Sequence, residues 1–435
     1  MLKHAVIFLL TLEARLVLRK YKPHIVAVTG SVGKTSAKDA IYTVLARDTH
    51  VRKSEKSFNG EIGIPLTILG APNAWHNPVR WLQNLSDGIF LLLFRSPYPE
   101  WLVLEIGADR PGDIKSLASW LTVDVVVITR LPEVPVHVEF FESVEALVEE
   151  KSSLIDTLRP GGVLIVYADD DRVSALQQRA ALRQAKILTF GVSAAADIRA
   201  DEFALLFEEG TQQVVGMRAR ISTHITSGSL FLIGAAGAHT FLSLLVAVAV
   251  AQALGKDMSP TLEILQSFAP PPGRMYLIRG IKKTLIIDDT YNSSPAAVTA
   301  ALDTLAFIAQ HTPLKGRTIA VLGGMLELGR QSVKEHRKVG AHAAKNAQLL
   351  ITVGFRARDI AEGALDAGMS DSAIFQYEDV AVVGNELQNM LTEGDLILVK
   401  GSQSMRMERI VEEIMAEPER ASELLVRQDK EWKKR

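Results

Sequence analysis

The stretch HIVAVTGSVGKTS, residues 24–36, joins a short apolar run to a glycine turn, a lysine and hydroxyl residues. This order predicts a buried strand, a phosphate-binding loop and the first turn of a helix. Gly30 and Gly33 let the backbone turn tightly and present N–H groups to an anion, and the helix start adds its positive dipole end. An ordinary glycine turn is the alternative. The flanking strand and the apolar spacing of residues 40–45 favour the phosphate loop.

The side chains of this loop suit a nucleotide. Lys34 is expected to contact the β- and γ-phosphates, and the Thr35 hydroxyl to bind Mg²⁺. Val28 stands where the full pattern has a glycine. The predicted nucleotide-binding residues of the loop are Gly30, Ser31, Gly33, Lys34, Thr35 and Ser36.

Composition limits the class of protein. The chain has 435 residues, 48% hydrophobic and 23% charged, which predicts a globular protein of two or three domains. Lys and Arg number 48 against 50 for Asp and Glu, so the charge balance gives no sign of a nucleic-acid partner. The absence of cysteine excludes disulfides, thiolate metal sites and cysteine nucleophiles, and is typical of a reducing compartment.

Apolar strands alternate with helical patterns along most of the chain, which predicts a doubly wound α/β fold. Residues 101–108 contain one such apolar strand, which ends in one acid, Glu105. A carboxylate at the carboxyl end of a parallel strand beside a phosphate loop suits a position facing Mg²⁺. Residues 269–274, with three consecutive prolines, predict a linker. We expect an N-terminal basic helix (1–22), a central phosphate-loop ATPase domain with a parallel sheet (23–272) and a Rossmann-like C-terminal α/β domain (273–435).

Two apolar segments have two interpretations each. Residues 1–22 carry a short apolar run followed by basic residues, and predict either a helix docked on the first domain or a basic amphipathic helix on an anionic membrane. Residues 71–100 predict a helical excursion that buries the run 89–94, with contact to lipid as the alternative.

Residues 241–254 are apolar all round and predict a buried helix.

The chain resembles the Mur ligase family over nearly its whole length. The motifs that carry the resemblance occur in family order: TGSVGKTS (29–36), NGEIGIPLTIL (59–69), LEIGADRPGDI (104–114), His137 with Lys151, PGRM (272–275), DDTYNSSP (288–295), VLGGMLELG (321–329) with HRKVG (336–340), and LVKGSQSMRMERI (398–410).

The resemblance implies roles for individual residues. Lys34 and Thr35 correspond to ligands of ATP and Mg²⁺, and Glu105 to a Mg²⁺-binding acid. His137 corresponds to a ligand of a second Mg²⁺, and Lys151 to a lysine that is carbamylated in the family. In a second set, Arg274, Asp289 and Asn292 correspond to residues of the C-terminal domain that face ATP across the cleft.

The implied activity is ATP-dependent amide formation through an acyl phosphate, with D-alanyl-D-alanine added to a UDP-muramoyl tripeptide in peptidoglycan precursor synthesis. We expect a cytoplasmic monomer, with peripheral contact to the inner face of the membrane through residues 1–22 or 71–100 as the alternative. Only residues 1–22 precede the loop strand, where the family has a UDP-binding domain, so we expect uridine to contribute little affinity. The alternatives are a Mur-type ligase for another, lipid-linked carboxylate and a non-catalytic nucleotide-binding module.

The sequence departs from the family pattern at four positions. Thr240 and Ser243 replace two asparagines, one of them used for adenine, and Gly324 and Gln403 replace an aspartate and an arginine. These changes bear on nucleotide affinity and on the identity of the incoming amine.

Overall fold

A computed structural model describes residues 2–55, 58–75, 77–313, 315–429 and 432. The helices are α1 (Leu2–Tyr21), α2 (Lys34–Leu45), α3 (Gly63–Leu69), α4 (Pro78–Leu93), α5 (Asp113–Ala118), α6 (Val144–Ser152), α7 (Val173–Ala181), α8 (Ala238–Ala253), α9 (Met258–Leu265), α10 (Pro295–His311), α11 (Ser332–Asn346), α12 (Arg358–Asp366), α13 (Val380–Met390), α14 (Glu408–Ile414) and α15 (Ala421–Leu424). The strands are β1 (His24–Thr29), β2 (Val51–Lys53), β3 (Trp101–Glu105), β4 (Val123–Ile128), β5 (Leu158–Tyr167), β6 (Lys186–Gly191), β7 (Ile198–Phe207), β8 (Val214–Ser222), β9 (Ser227–Ile233), β10 (Tyr276–Arg279), β11 (Leu285–Asp289), β12 (Thr318–Gly323), β13 (Leu349–Val353), β14 (Ile374–Tyr377) and β15 (Leu396–Lys400).

The first sheet has the strand order β2-β3-β1-β4-β5-β6-β7-β8-β9. Strands β2 to β7 pair in parallel, as predicted for the phosphate-loop domain. The pairs β7–β8 and β8–β9 are antiparallel and extend the sheet at one end. The sequence analysis did not anticipate these last strands, since they are half-buried and lack the continuous apolar run of a central strand.

Strand β1 lies inside the sheet between β3 and β4. Residues 25–28 are buried inside the sheet, with α2 packed against β1, which explains the unbroken apolar run. The chain fills one side of β1 with β2 and β3 and then crosses to β4, so the loop after β1 sits where ligands of such sheets bind. The predicted buried helix over 241–254 is confirmed as α8, which packs against α2.

The second sheet has the order β10-β11-β15-β12-β13-β14. Only β10 is antiparallel to its neighbour, and the other pairs are parallel, which confirms the Rossmann-like expectation for the C-terminal domain. Strand β11 pairs with β15, so Asp289 and Lys400 lie opposite each other at the carboxyl ends of these strands.

The helix α1 docks on the first domain through Leu10, Ala14 and Val17, which are fully buried. The expectation that the run 89–94 is buried is wrong for much of it, since Phe90 and Leu93 of that run are exposed. Successive helical residues point about 100° apart, so a continuous apolar run cannot turn all its side chains inward. Within the described residues, no helix combines the length and apolar character needed to cross a bilayer.

The carboxyl group of Glu13 lies between α1 and α4, where burial raises its pKa to about 7. Its Oε2 atom has no hydrogen-bond partner among the described residues. The buried position favours the protonated form of Glu13, so its pKa is higher in the folded chain than in the unfolded chain. The free energy of unfolding therefore decreases as the pH rises from the unfolded pKa through 7.

Glu13→Gln should therefore raise the melting temperature at pH 8, by about 2–4 °C if the unpaired charge costs about 1 kcal/mol. The difference from wild type should shrink towards pH 5, where Glu13 is protonated. Calorimetry across this pH range measures both values. The matched control is Asp87→Asn, on the exposed side of α4, for which we expect no such pH dependence. A gain that is the same at pH 5 and pH 8 would contradict the assignment.

Candidate functional site

The phosphate loop joins β1 to α2 through two glycines with positive φ. Gly30 has φ +135° and Gly33 has φ +87°, conformations that side chains disfavour. A Cβ atom at Gly30 would also collide with Thr129 Oγ1. Lys34 begins α2, and its Nζ donates to the Gly30 carbonyl at 2.9 Å. The loop thus directs the N-terminus of α2 and the half-buried ammonium group of Lys34 towards one point.

Glu105 ends β3 directly beside this loop, because the register pairs it with Val28 of β1. Thr35 Oγ1 donates to Glu105 Oε1 at 3.2 Å. Glu105 Oε2 has no hydrogen-bond partner, although Lys38 Nζ lies 3.6 Å from it in a buried ion pair. Mg²⁺ in nucleotide sites is bound by one or two protein oxygens together with phosphate oxygens and water. The hydroxyl of Thr35 and the unsatisfied carboxylate oxygen fit that requirement.

The described residues contain no cluster of three or more His, Asp or Glu side chains arranged for a metal ion. A Mg²⁺ ion at Thr35 and Glu105 would therefore take its remaining ligands from the nucleotide and from water. This matches a site in which metal and nucleotide bind together.

His137 approaches the same cleft from the segment after β4. It adopts a left-handed backbone conformation with φ +70°. Its Nδ1 lies 2.8 Å from Glu327 Oε2 of the C-terminal domain, and its Nε2 lies 3.9 Å from Asp109 Oδ1. The hydrogen bond with His137 lowers the pKa of Glu327 below its usual value. His137 thus contacts both domains, and Asp109 and Glu327 are neighbours that the sequence analysis missed.

Lys151 is buried behind the phosphate loop. Its Nζ donates to the Gly30 carbonyl at 3.1 Å, the same oxygen that accepts from Lys34. Burial holds the pKa of Lys151 well below its usual value, and the nearby charge of Lys34 lowers it further. Burial likewise lowers the pKa of Lys34, while Glu105 opposes that shift. Burial therefore favours the neutral form of both adjacent amines.

The C-terminal domain closes the site from the other side. Arg274 Nη2 donates to Thr35 Oγ1 at 3.2 Å, and its guanidinium lies 4.1 Å from the centre of the Tyr291 ring. Lys400 Nζ donates to Asp289 Oδ2 at 2.5 Å and to the Asn292 carbonyl at 2.8 Å. Lys400 was not predicted as a site residue, although its place at the end of a buried strand in a motif was a usable signal.

The C-terminal tail holds the loop that carries Tyr291. Arg427 Nη2 donates to the Thr290 carbonyl at 2.6 Å and to Glu408 Oε2 at 2.7 Å, and its Nη1 donates to the Tyr291 carbonyl at 3.1 Å. The sequence analysis assigned no role to this tail. Nothing in its composition indicates the contact with the loop, because the partners there are the backbone carbonyls of Thr290 and Tyr291, more than a hundred residues away.

These groups surround a cavity of about 390 Å³ between the two domains. His239, which also lines it, is half-buried, and the partial loss of water around its imidazole lowers the pKa of His239 to about 4. The imidazole is thus neutral at physiological pH. Gly30 and Lys151 lie behind the cavity wall. The predicted site residues that line the cavity are Ser31, Gly33, Lys34, Thr35, Ser36, Glu105, His137, Arg274, Asp289 and Asn292, and the substituted positions Thr240, Ser243 and Gln403 line it too.

Comparison with known proteins identifies the family to which this chain belongs. Residues 88–251 match the Mur ligase middle domain, and residues 273–403 match the glutamate ligase domain of the same family. The chain belongs to the Mur ligases. It is 29% identical over 409 residues to the UDP-N-acetylmuramoyl-tripeptide–D-alanyl-D-alanine ligase of Bacillus subtilis, covering 93% of this chain and 79% of that one.

Solved structures of Mur ligases superpose on the whole fold. MurF from Thermotoga maritima, solved in complex with ADP, is 26% identical with a TM-score of 0.74, over 94% of this chain and 83% of that one. MurF from Acinetobacter baumannii is 25% identical with a TM-score of 0.73, over 93% of this chain and 79% of that one.

Gly30→Ala should weaken nucleotide binding, since the strained conformation costs about 1–3 kcal/mol and the new methyl group meets Thr129. Isothermal titration with an ATP analogue should show at least about a tenfold loss. Gly112→Ala is the matched control, because Gly112 has φ +93° with open space around its Cβ position. Unchanged affinity in Gly30→Ala would contradict the role of this turn.

Proposed function

We propose that this Mur ligase is an ADP-forming amide ligase that joins D-alanyl-D-alanine to a UDP-muramoyl tripeptide in peptidoglycan precursor synthesis, with ATP as substrate and Mg²⁺ as cofactor. The observation that carries the proposal is the convergence, on one cavity, of the phosphate loop, Glu105 and the C-terminal Arg274. The names of the relatives support the choice of substrate and amine.

The proposed reaction has two steps. The terminal carboxylate of the tripeptide attacks the γ-phosphorus of ATP, which gives an acyl phosphate and releases ADP. The amine of the dipeptide then attacks the acyl carbon, and inorganic phosphate leaves from the tetrahedral intermediate. Negative charge spreads over the oxygens of the transferred phosphoryl group, so positioned cations provide most of the stabilisation of the transition state.

Different residues of this chain would bind the phosphates and stabilise the charge on them. Lys34 would leave the Gly30 carbonyl to contact the β- and γ-phosphates, and the N–H groups of residues 33–36 would hold the same oxygens. Thr35 and Glu105 would hold Mg²⁺, which supplies positive charge to the phosphate oxygens when bound. Arg274, already 3.2 Å from Thr35, would bring a second cation from the C-terminal domain.

His137 and Lys151 are proposed to serve a second Mg²⁺, with Lys151 as its carbamate. Carbon dioxide reacts with neutral amines, and the lowered pKa of Lys151 increases that fraction at neutral pH. Carbamylation would replace a cation beside Lys34 with an anion and relieve the repulsion between two adjacent ammonium groups.

The site lies within a single chain, so we propose that a monomer suffices for the reaction, and that it works in the cytoplasm, where its nucleotide substrates are made. Sedimentation of the active protein tests the first of these points.

Lys34→Ala should abolish dipeptide-dependent ADP release while the protein stays folded, because the change removes a charge aimed at phosphate and no core atoms. We expect a loss of about 10²–10³ in turnover. The assay supplies UDP-muramoyl tripeptide and D-alanyl-D-alanine, and a parallel arm uses the same tripeptide without UDP. Lys345→Ala, an exposed lysine on α11, is the control.

Near wild-type turnover of Lys34→Ala would refute the loop assignment. Release of ADP with another carboxylate or amine, but not with this pair, would refute the substrate assignment alone. A hundredfold or larger loss without UDP, equal to about 2.7 kcal/mol, would contradict the expectation that uridine contributes little.

Lys151→Ala should lose about a hundredfold or more of the activity and regain part of it in acetate, whose carboxylate can occupy the vacated space. Wild-type activity should fall in buffer depleted of carbon dioxide. Lys186→Ala, an exposed lysine at the start of β6, should respond to neither treatment. Full activity of Lys151→Ala without carbon dioxide would show that the carbamate is not used.

A further inference from the structure

The helices α1 and α4 lie side by side and run in the same direction. Glu13 of α1 packs against Gly88 of α4, a position where a Cβ would collide with the carboxylate. Lys20 Nζ, near the end of α1, donates to the carbonyls of Leu91 at 2.7 Å and Phe94 at 2.5 Å. The C-terminal ends of the two helices therefore meet.

Both helices turn an apolar face away from the protein. On α4 the inward side is formed around Asn84 and Gly88, and the opposite side carries Leu82, 65% exposed, and Leu93, 73% exposed. A surface helix normally presents its polar residues to solvent. The remaining outward apolar residues of α4 are Val79, Ile89 and Phe90.

The outward side of α1 has the same character. Its apolar residues point opposite to the buried Leu10, Ala14 and Val17, and they recur every three to four positions. They are Phe8, Leu9, Leu12 and Leu16. Together these outward sides of α1 and α4 form one apolar surface, which we name the α1–α4 face.

Cations gather at the end of the α1–α4 face where the two helices meet. Arg15, Arg19 and Lys22 are exposed on or just after α1, and Arg95 is exposed just after α4. The structure gives them no ion-pair partner among the residues it describes. Asp87 is the exposed acid within residues 5–22 and 77–95, since Glu13 is buried.

A cavity of about 510 Å³ opens at this same end, between α1 and the amino edge of the first sheet. Arg15, Arg19 and Lys22 line it together with Arg159. Asp124 lines it too, but that carboxylate already pairs with Arg159 and His24, each at 3.0 Å. The positive charge of the three α1 cations is therefore not balanced locally.

We propose that the α1–α4 face docks the protein on an anionic lipid bilayer, with the apolar side chains in the interface and Arg15, Arg19 and Arg95 against lipid phosphates. A helix with an apolar side and basic flanks binds such surfaces without crossing them. A second copy that presented this same face would offer these cations Asp87 as the exposed acid within residues 5–22 and 77–95, which gives poor charge complementarity. The catalytic cavity lies at the opposite, carboxyl edge of the sheet, so docking is independent of the proposed reaction.

The test is flotation of the full chain with vesicles of phosphatidylcholine alone or mixed with phosphatidylglycerol. We expect binding to the mixed vesicles that weakens with salt. Leu82→Glu with Phe90→Glu should reduce it at least about tenfold, as should Arg15→Glu with Arg19→Glu, since each cation near the surface contributes about 1 kcal/mol. The controls are Ile225→Glu, an isolated exposed apolar residue, and Lys345→Glu.

ADP release with water-soluble substrates should be unchanged in all these variants, which separates docking from catalysis. The proposal is overturned if wild type does not float with anionic vesicles, or if the face variants float as well as the controls. It is also overturned if Leu82→Glu with Phe90→Glu instead converts a dimer to a monomer in sedimentation, since the face would then hold a second copy.

Discussion

Two ammonium groups share one backbone oxygen at the centre of this protein. Lys34 and Lys151 both donate to the Gly30 carbonyl, at 2.9 and 3.1 Å; Lys151 is buried, and Lys34 is half-buried beside the cavity. Like charges near one another repel and are stabilised by nearby anions or by loss of a proton. Glu105 and Asp109 supply nearby negative charge, and the loop presents N–H groups for phosphate. The pKa values of both lysines nevertheless stay below their usual values.

The same constraint explains why the domains meet where they do. Arg274 adds a further cation beside Thr35, and it reaches the loop from the C-terminal domain. Nucleotide phosphate between these cations would offset their mutual repulsion, so its binding would favour the approach of the second domain. The contact of His137 with Glu327 is a second bridge across the cleft, and it joins opposite charges when the imidazole is protonated.

In the C-terminal domain, contacts between segments that are distant in sequence hold the site residues in position. Lys400 pairs with Asp289 because β15 lies next to β11 in the sheet, although the chain connects these strands through three others. Arg427 then fixes the following loop through the carbonyls of Thr290 and Tyr291. A strand neighbour and a tail contact thus set the position of Tyr291, on which Arg274 stacks.

The sequence by itself determined the family, the phosphate loop and the two α/β sheets, because each depends on local order: glycines at fixed spacing, apolar runs of strand length and motifs in succession. It also predicted the position of Glu105 beside the phosphate loop, since a strand end in a parallel sheet has a predictable neighbourhood. Only the tertiary structure decided that Glu327 contacts His137, that Lys151 lies behind the loop and not on the cavity wall, and that Arg427 supports Tyr291. These are contacts between distant parts of the chain. The sequence likewise did not reveal the outward apolar side of α4. The helical repeat shows which residues of α4 share a side, but only the packing of α4 on α1, with Glu13 against Gly88, determines which side faces inward.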